Sequence, residues 1–282
     1  MPVTSSGERH WPDNVTRLPA HNAALAAWGD LRDGVSQSWM WSSLAIQDIK
    51  LRYRGSVLGP FWLTLSSIIM VAAMGVIYAR LFNMQAASYL PYLALGIIIW
   101  QFVSSLFSDG CQSFLAAEGI IQQVPVPFSI HAYRVVFRNL IIFAHNAIII
   151  PIGFVLFQLP VSWRIFEVIP GLVLVVINGV WVAILLGMIS ARFRDIPPIV
   201  GNILQVMFFV TPIIWPIDAL GNLRWVAELN PAFAAIDVIR APLLGVPTAP
   251  LSWPLIIGTT VVGSALTFAF FTRFRTRIVY WI

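Results

Sequence analysis

The chain is poor in charge, and the shortage is specific. Charged residues make up 10% of its 282 positions, with one lysine (Lys50), one cysteine (Cys111) and four histidines. A soluble domain is usually about one-quarter charged, so this chain cannot cover itself with a water-facing surface. A lone cysteine excludes internal disulfides and thiolate metal clusters. His10, His21, His131 and His145 show no ligand-like pairing with Cys, Asp or Glu, so no metal site is expected. The only lysine follows Ile49, which leaves no Gly-Lys-Ser/Thr phosphate loop and excludes a P-loop ATPase. There is no Gly-x-Ser-x-Gly elbow, and Asp218, Glu228 and Asp237 are scattered, unlike the clustered carboxylates of an enzyme acting on lipid-linked sugars. No catalytic residue is expected.

What is abundant is apolar. Hydrophobic residues reach 59% and mean hydropathy is +0.82. Uncharged stretches run 57–79, 86–108, 139–163, 168–191, 196–217 and 241–272. Spanning roughly 30 Å of hydrocarbon takes about 20 helical residues. The runs are continuous rather than alternating, so helices and not barrel strands satisfy the backbone. The expected fold is all-α, with six transmembrane helices over 57–282. Of the 17 Lys and Arg, only Arg80, Arg164, Arg224 and Arg240 fall on the side opposite the others. That positive-inside asymmetry places both termini in the cytoplasm. The basic pI of about 9.9 then reports topology and attraction to anionic lipid, not nucleic acid. No basic-then-apolar leader opens the chain, so no cleaved signal is expected.

Residues 1–30 read as a cytoplasmic tail. From Leu31, Val35, Trp39, Ile46, Ile49 and Tyr53 recur at helical spacing, which fits an amphipathic helix in the membrane interface. A soluble helix packed on a cytoplasmic partner fits the same pattern. Gly55, Gly59 and Pro60 then allow an elbow into the first span, closing a 31–56 unit. Between spans 2 and 3, the apolar loop 112–130 is broken by Pro125 and Pro127 and suits a short docking helix or a re-entrant loop. Gly179, Ala183, Gly187 and Ala191 form a small-residue stripe for close helix packing on span 4. Asp195 is placed to cap span 5, which is disturbed at Pro212 and Pro216. In the outward segment 216–252, Asn-Pro and Gly245 bound a short helix. Together with LRWVAEL this gives two helices, either dipping back into the membrane or lying on its outer face.

Ionisable residues inside the spans are few: Arg138, His145 and Asp109. Without a mid-span acid, an ion-driven carrier is disfavoured, and the energy source belongs on another chain. His145 with Asn146 suits an interhelical hydrogen bond. Most of the twelve Trp and nineteen Phe are belt or lipid-facing residues. Trp62, Phe208, Phe209 and Trp215 are candidates to line a path and stack on sugar rings.

Three segments together resemble a family. DIKLRYRGSVLGPFWL (48–63), RFRDIPPIVGNILQVMFFVTPIIWP (192–216) and LNPAFAAIDVIRAPLLG (229–245) are similar to permease subunits of type-2 ABC exporters. The nearest branch exports O-antigen, capsule and teichoic-acid-like polysaccharides. The resemblance runs from about Leu31 to the C-terminus. It implies a homodimer in the bacterial inner membrane, bound to two ATP-binding subunits that carry the ATP and Mg, so this chain needs no cofactor. It also implies a polyprenyl-diphosphate-linked glycan as cargo, as in lipopolysaccharide biosynthesis, and re-entrant gate helices after span 5. Gly119, Ile120, Ile121 and Gln122 fall where the family places the helix that receives the ATPase's motion. Lys50, Arg52, Tyr53 and Arg54, with Arg192 and Arg194, sit where the lipid diphosphate would approach, and Arg suits bidentate phosphate binding. Anchoring and contact with the ATPase explain the same charges. A secondary lipid-linked glycan flippase, a drug-exporting permease of the same family and a non-transporting assembly subunit are the competing readings.

Overall fold

The computed structural model describes residues 20–56, 59, 61–160 and 162–282. The expected tail up to residue 19, with His10, and the elbow's Pro60 lie outside the described residues. Among those described, the secondary structure is helical throughout: α1 (Ala20–Ser36), α2 (Ser38–Arg52), α3 (Phe61–Leu81), α4 (Ala86–Cys111), α5 (Glu118–Gln123), α6 (Ser129–Asn146), α7 (Ile149–Phe157), α8 (Val168–Arg192), α9 (Ile196–Val210), α10 (Arg224–Glu228), α11 (Pro231–Leu243), α12 (Ser252–Phe274) and α13 (Ile278–Trp281), with short 3-10 turns between some of them. Helix α1 runs across the boundary expected at residue 30, over Ala20–Ser36 of the described residues.

Among the described residues, five segments are long and apolar enough to cross a membrane: Thr64–Leu81, Ala86–Cys111, Ser129–Phe157, Trp163–Arg192 and Ser252–Trp281. The expected fifth of six spans is different. Its helix, α9, has 15 residues and rises only about 22 Å at 1.5 Å per residue. Pro212 ends it, since proline removes an amide donor and clashes with the preceding turn. Asp195 occupies the N-cap position of α9, but its side chain makes no capping bond; Pro197 and Pro198 start the helix instead.

Helix α4 is the centre of the bundle. Tyr89, Leu93, Ile97, Ile99 and Leu106 are nearly inaccessible, and α3, α6, α8, α9 and α11 pack around it. The small-residue stripe of α8 is spent within this bundle. A Cβ on Gly187 would come 2.1 Å from Ser113 Oγ, and one on Gly179 would come 2.9 Å from Leu106. Ser113 Oγ donates to Ala183 O at 2.9 Å. The stripe therefore seats α8 on α4 of the same chain and gives no support to self-association.

After α9 the chain forms two very different short helices. Helix α10 is peripheral, with Trp225 and Val226 exposed and Arg224 pairing with Asp218 and Glu228 at its surface. Helix α11 is buried from Phe233 to Leu243 among α4, α8 and α12. Asn230 caps it by accepting from Ala232 N at 2.9 Å, and Gly245, with φ +71°, takes the left-handed turn that follows it. So α11 re-enters the bundle, whereas α10 stays on its surface.

Candidate functional site

The opening helices are held on the bundle by two sets of charges. The first is on α2. Trp41, Ala45 and Asp48 recur at helical spacing and face α6, where Trp41 packs edge-on to Phe137 at 5.0 Å, while Arg52, one turn further on, reaches toward Asp109 of α4. Trp39, Ile46 and Leu51 are left exposed on the other side. That outward apolar set fits a helix lying in the interface.

Asp48 accepts from Arg134 Nε at 2.8 Å and from the same guanidinium's second nitrogen. Arg138 donates to Asp48 at 2.8 Å and to Asp109 at 2.9 Å, and Asn139 also donates to Asp109, at 3.0 Å. Arg134 and Arg138 lie one turn apart on α6, so both guanidinium groups reach the same side. Burial raises the Asp48 carboxyl, but the Arg134 hydrogen bond and charge and then those of Arg138 outweigh it, holding it below the ordinary aspartate range.

The second set is on α1. Asp30, with a side chain 4% exposed, accepts from the backbone of Phe128 at 3.1 Å and Ser129 at 3.0 Å, the first amides of α6. Ser129 Oγ donates to Asp30 O at 2.7 Å, and Arg275, at the end of α12, reaches the Asp30 carboxylate at 3.3 Å. A carboxylate at a helix N-terminus is favoured by the free amides and the helix dipole. Asp30 and Asp109 thus grip the two ends of the loop that joins α4 to α6.

That loop carries α5, the short helix expected there. Gly119 and Gln122 are exposed, and Ile120 and Ile121 are half-buried, with Ile121 against the core. Beside it lies a groove of about 730 Å³ walled by α1, residues 121–128 and the C-terminal residues Arg275, Thr276 and Val279.

The expected basic cluster is split by the structure. Arg52 lies 3.8 Å from Asp109 at the edge of the ionic network. Lys50 and Arg54 are exposed, with no ion pair among the described residues. Tyr53 turns inward, and burial pushes its phenol up, with Arg52 partly opposing this. Gly55 and Gly59 both take positive φ, as the elbow requires. Arg192 and Arg194 are exposed at the end of α8, which packs on α4, α12, α6 and α11; they are not part of the cluster.

The aromatic candidates also separate. Phe208 packs on Trp100 at 6.1 Å and on Phe209 at 5.3 Å, and Trp215 Nε1 donates to Phe209 O at 3.0 Å. Trp62 is exposed on the first turn of α3. The expected interhelical hydrogen bond at 145–146 is made by Asn146, which accepts from Thr64 at 2.9 Å, while His145 meets the Phe61 ring edge-on at 4.5 Å.

Asp30, Asp48, Arg134 and Asn139 are the residues that sequence reasoning passed over. The readable signal was the Arg134, Arg138 pair one turn apart on an apolar helix. Its charge needs carboxylates, and Asp48 and Asp109 are the nearby acids.

The long apolar helices among the described residues define a multi-pass membrane protein. Residues 41–244 match the ABC-2 type transporter family, and the chain belongs to it. It is the membrane component of a transporter, and permeases of this family pair with ATP-binding subunits. Among curated relatives, the O-antigen export system permease protein RfbA of Myxococcus xanthus is 27% identical over 185 residues, 63% of this chain and 68% of that one. Two permeases of the same name from Klebsiella pneumoniae are each 26% identical over 197 residues, covering 67% of this chain and 74% of theirs.

Proposed function

We propose that this chain is the permease of an ATP-driven exporter that moves a polyprenyl-diphosphate-linked polysaccharide, of O-antigen, capsule or teichoic-acid type, across the cytoplasmic membrane of a bacterium. The observation that carries the reading is that the relatives it matches over about two-thirds of its length are O-antigen export permeases. The working unit is two copies of this chain above two ATP-binding subunits. Helix α9 and the non-helical 211–216 segment together form the fifth of six spans, and the even number returns both termini to the cytoplasm in agreement with the placement of Lys and Arg.

On this reading α5, with Gly119, Ile120, Ile121 and Gln122, receives the motion of the ATPase, and the charges at Asp30 and Asp109 pass it to α6 and α4. The exposed Lys50, Arg54, Arg192 and Arg194 and the half-exposed Arg52 attract the lipid diphosphate to the cytoplasmic rim. Phe208, Phe209 and Trp215 flank the sugar path. Trp62 lies at the entry end. Export of a small hydrophobic drug by the same family would need no phosphate-attracting rim.

The test is depletion of the chain in its native cells. Polyprenyl-diphosphate-linked glycan accumulates on the cytoplasmic side while surface polymer falls. Surface polymer that persists undiminished contradicts the function. Joint Arg52→Ala and Arg54→Ala substitution reduces export without loss of membrane insertion; unchanged export removes the phosphate role.

A further inference from the structure

Between α9 and α10 the backbone is free of regular helix from Thr211 to Pro216, yet Thr211, Pro212, Ile213 and Ile214 are buried. Non-helical backbone at membrane depth persists only where protein groups satisfy it. Here three side chains do so. Arg240 Nη1 donates to Pro212 O at 2.8 Å. The Tyr92 hydroxyl lies between Pro212 O, at 3.1 Å, and Trp215 O, at 3.0 Å. The Tyr89 hydroxyl donates to Ile214 O at 2.6 Å. Asn230, the cap of α11, adds a bond to Thr211 Oγ1 at 2.9 Å.

Arg240 is the unusual member. It is 3% exposed and no carboxylate lies within ion-pairing distance among the described residues. Asp237, one turn earlier on α11, is engaged by Ala249 N and Ser252 Oγ at 2.8 and 2.7 Å. What faces the guanidinium instead is the Tyr92 ring, 4.0 Å from Cζ. Gly96 leaves the room for it: a Cβ there would lie 3.1 Å from Ile213 O and 3.3 Å from Arg240 Nη1. A buried cation without an anion is costly in a membrane protein, and neutral donors would serve to tether a loop. Helix α9 itself has no buried residue along its length. Its side-chain anchors are concentrated at one end.

We propose that Arg240, clasped by Tyr92, is the positioning residue of a pivot at the C-terminal end of α9. The rest of α9 swings about this pivot, while Trp215 and its partner Phe209 stay in place. In its consequence for transport, a path opened by movement of α9, the inference rests on the export function proposed above. The pivot is a property of this chain alone.

The test uses the chain with its copurifying partners in lipid nanodiscs, on a Cys111→Ser background. Spin labels go at Ile199→Cys, exposed near the start of α9, and Ile177→Cys, exposed on α8, with labelled chain diluted in unlabelled chain. A control pair joins Ile177→Cys to Ser108→Cys on α4. Tyr92→Phe keeps the ring but loses both hydroxyl contacts, and Arg240→Lys keeps the charge but loses the planar fork. Each broadens the α9–α8 distance distribution by about twofold, as expected when a hinge loses its fixed geometry, and leaves the α4–α8 control unchanged. An unchanged α9–α8 distribution in both variants overturns the pivot. So does equal broadening of the control pair, which makes the cluster a support of the whole fold. If Arg240→Lys does not accumulate, Tyr92→Phe alone decides between these outcomes. The readout needs neither substrate nor nucleotide, so a failed export function leaves it interpretable.

Discussion

Replacing Arg138 with methionine is the sharpest perturbation of the cytoplasmic rim. Arg138 is 13% exposed and bridges two carboxylates, Asp48 at 2.8 Å and Asp109 at 2.9 Å. Methionine keeps much of the apolar stem and removes the charge. Breaking a buried ion pair from one side costs about 3–5 kcal/mol when the remaining charge is stranded. Neither acid is stranded here: Asp48 keeps Arg134, and Asp109 keeps Asn139, with Arg52 at 3.8 Å. The cost therefore falls below that range, at about 2–3 kcal/mol, the scale of a single hydrogen bond to a charged group. At roughly 2–4 °C per kcal/mol for a chain of this size, the melting temperature drops by about 4–12 °C. Tryptophan fluorescence of detergent-purified protein during heating reads this. Asp48→Asn in the same background completes a cycle, and the double variant loses less than the sum of the singles because the two residues touch. A shift of under about 1 °C for Arg138→Met, or additivity within about 0.3 kcal/mol, refutes the network as a structural tie.

The same network gives a pH dependence. Asp48 is held below its unfolded value of 3.8, so its contribution is fully present above that value and is lost as pH falls through the lower folded pKa. Melting followed from pH 6 to acid shows this loss in the native protein and a shallower loss in Asp48→Asn; parallel curves contradict it. Gly187→Val forces a side chain into Ser113 and Phe114 and destabilises by about 1–3 kcal/mol, while cross-linking between copies stays unchanged; lost cross-linking would return the stripe to a contact between copies. Ile120→Asp or Ile121→Asp on α5 leaves ATP hydrolysis in place and uncouples it from export, and preserved coupling removes the assigned role of α5.

Much of this architecture is written in local sequence. Runs of apolar residues locate the long helices, and Asn230, Pro231 and Gly245 bound α11 because capping and left-handed turns depend on a few neighbouring residues. The break at Pro212 is equally local. Its consequence is not, since whether α9 alone is long enough depends on where the helix begins and on which groups satisfy the broken backbone. Tyr89, Tyr92 and Arg240 do that by direct hydrogen bonds from positions 28 to 125 residues away in sequence.

The rim shows the same divide. The basic residues at 50–54 stand out in the sequence, but their partners do not. Asp30 lies in a stretch that reads as tail, and only the fold brings it to the first amides of α6. The alanine-and-glycine stripe on α8 allows close approach of any helix, and periodicity cannot say whether that helix is α4 of the same chain or a second copy.

Purification of the tagged chain from its native membranes in mild detergent, with assay of the eluate for a bound partner and for ATP hydrolysis, decides whether this is an exporter's permease. The structure and its relatives predict a stoichiometric P-loop subunit and vanadate-sensitive hydrolysis. A chain that elutes alone and silent from several detergents contradicts an ATP-driven exporter, and His145 and Asp109 then become the residues to test for ion-coupled transport.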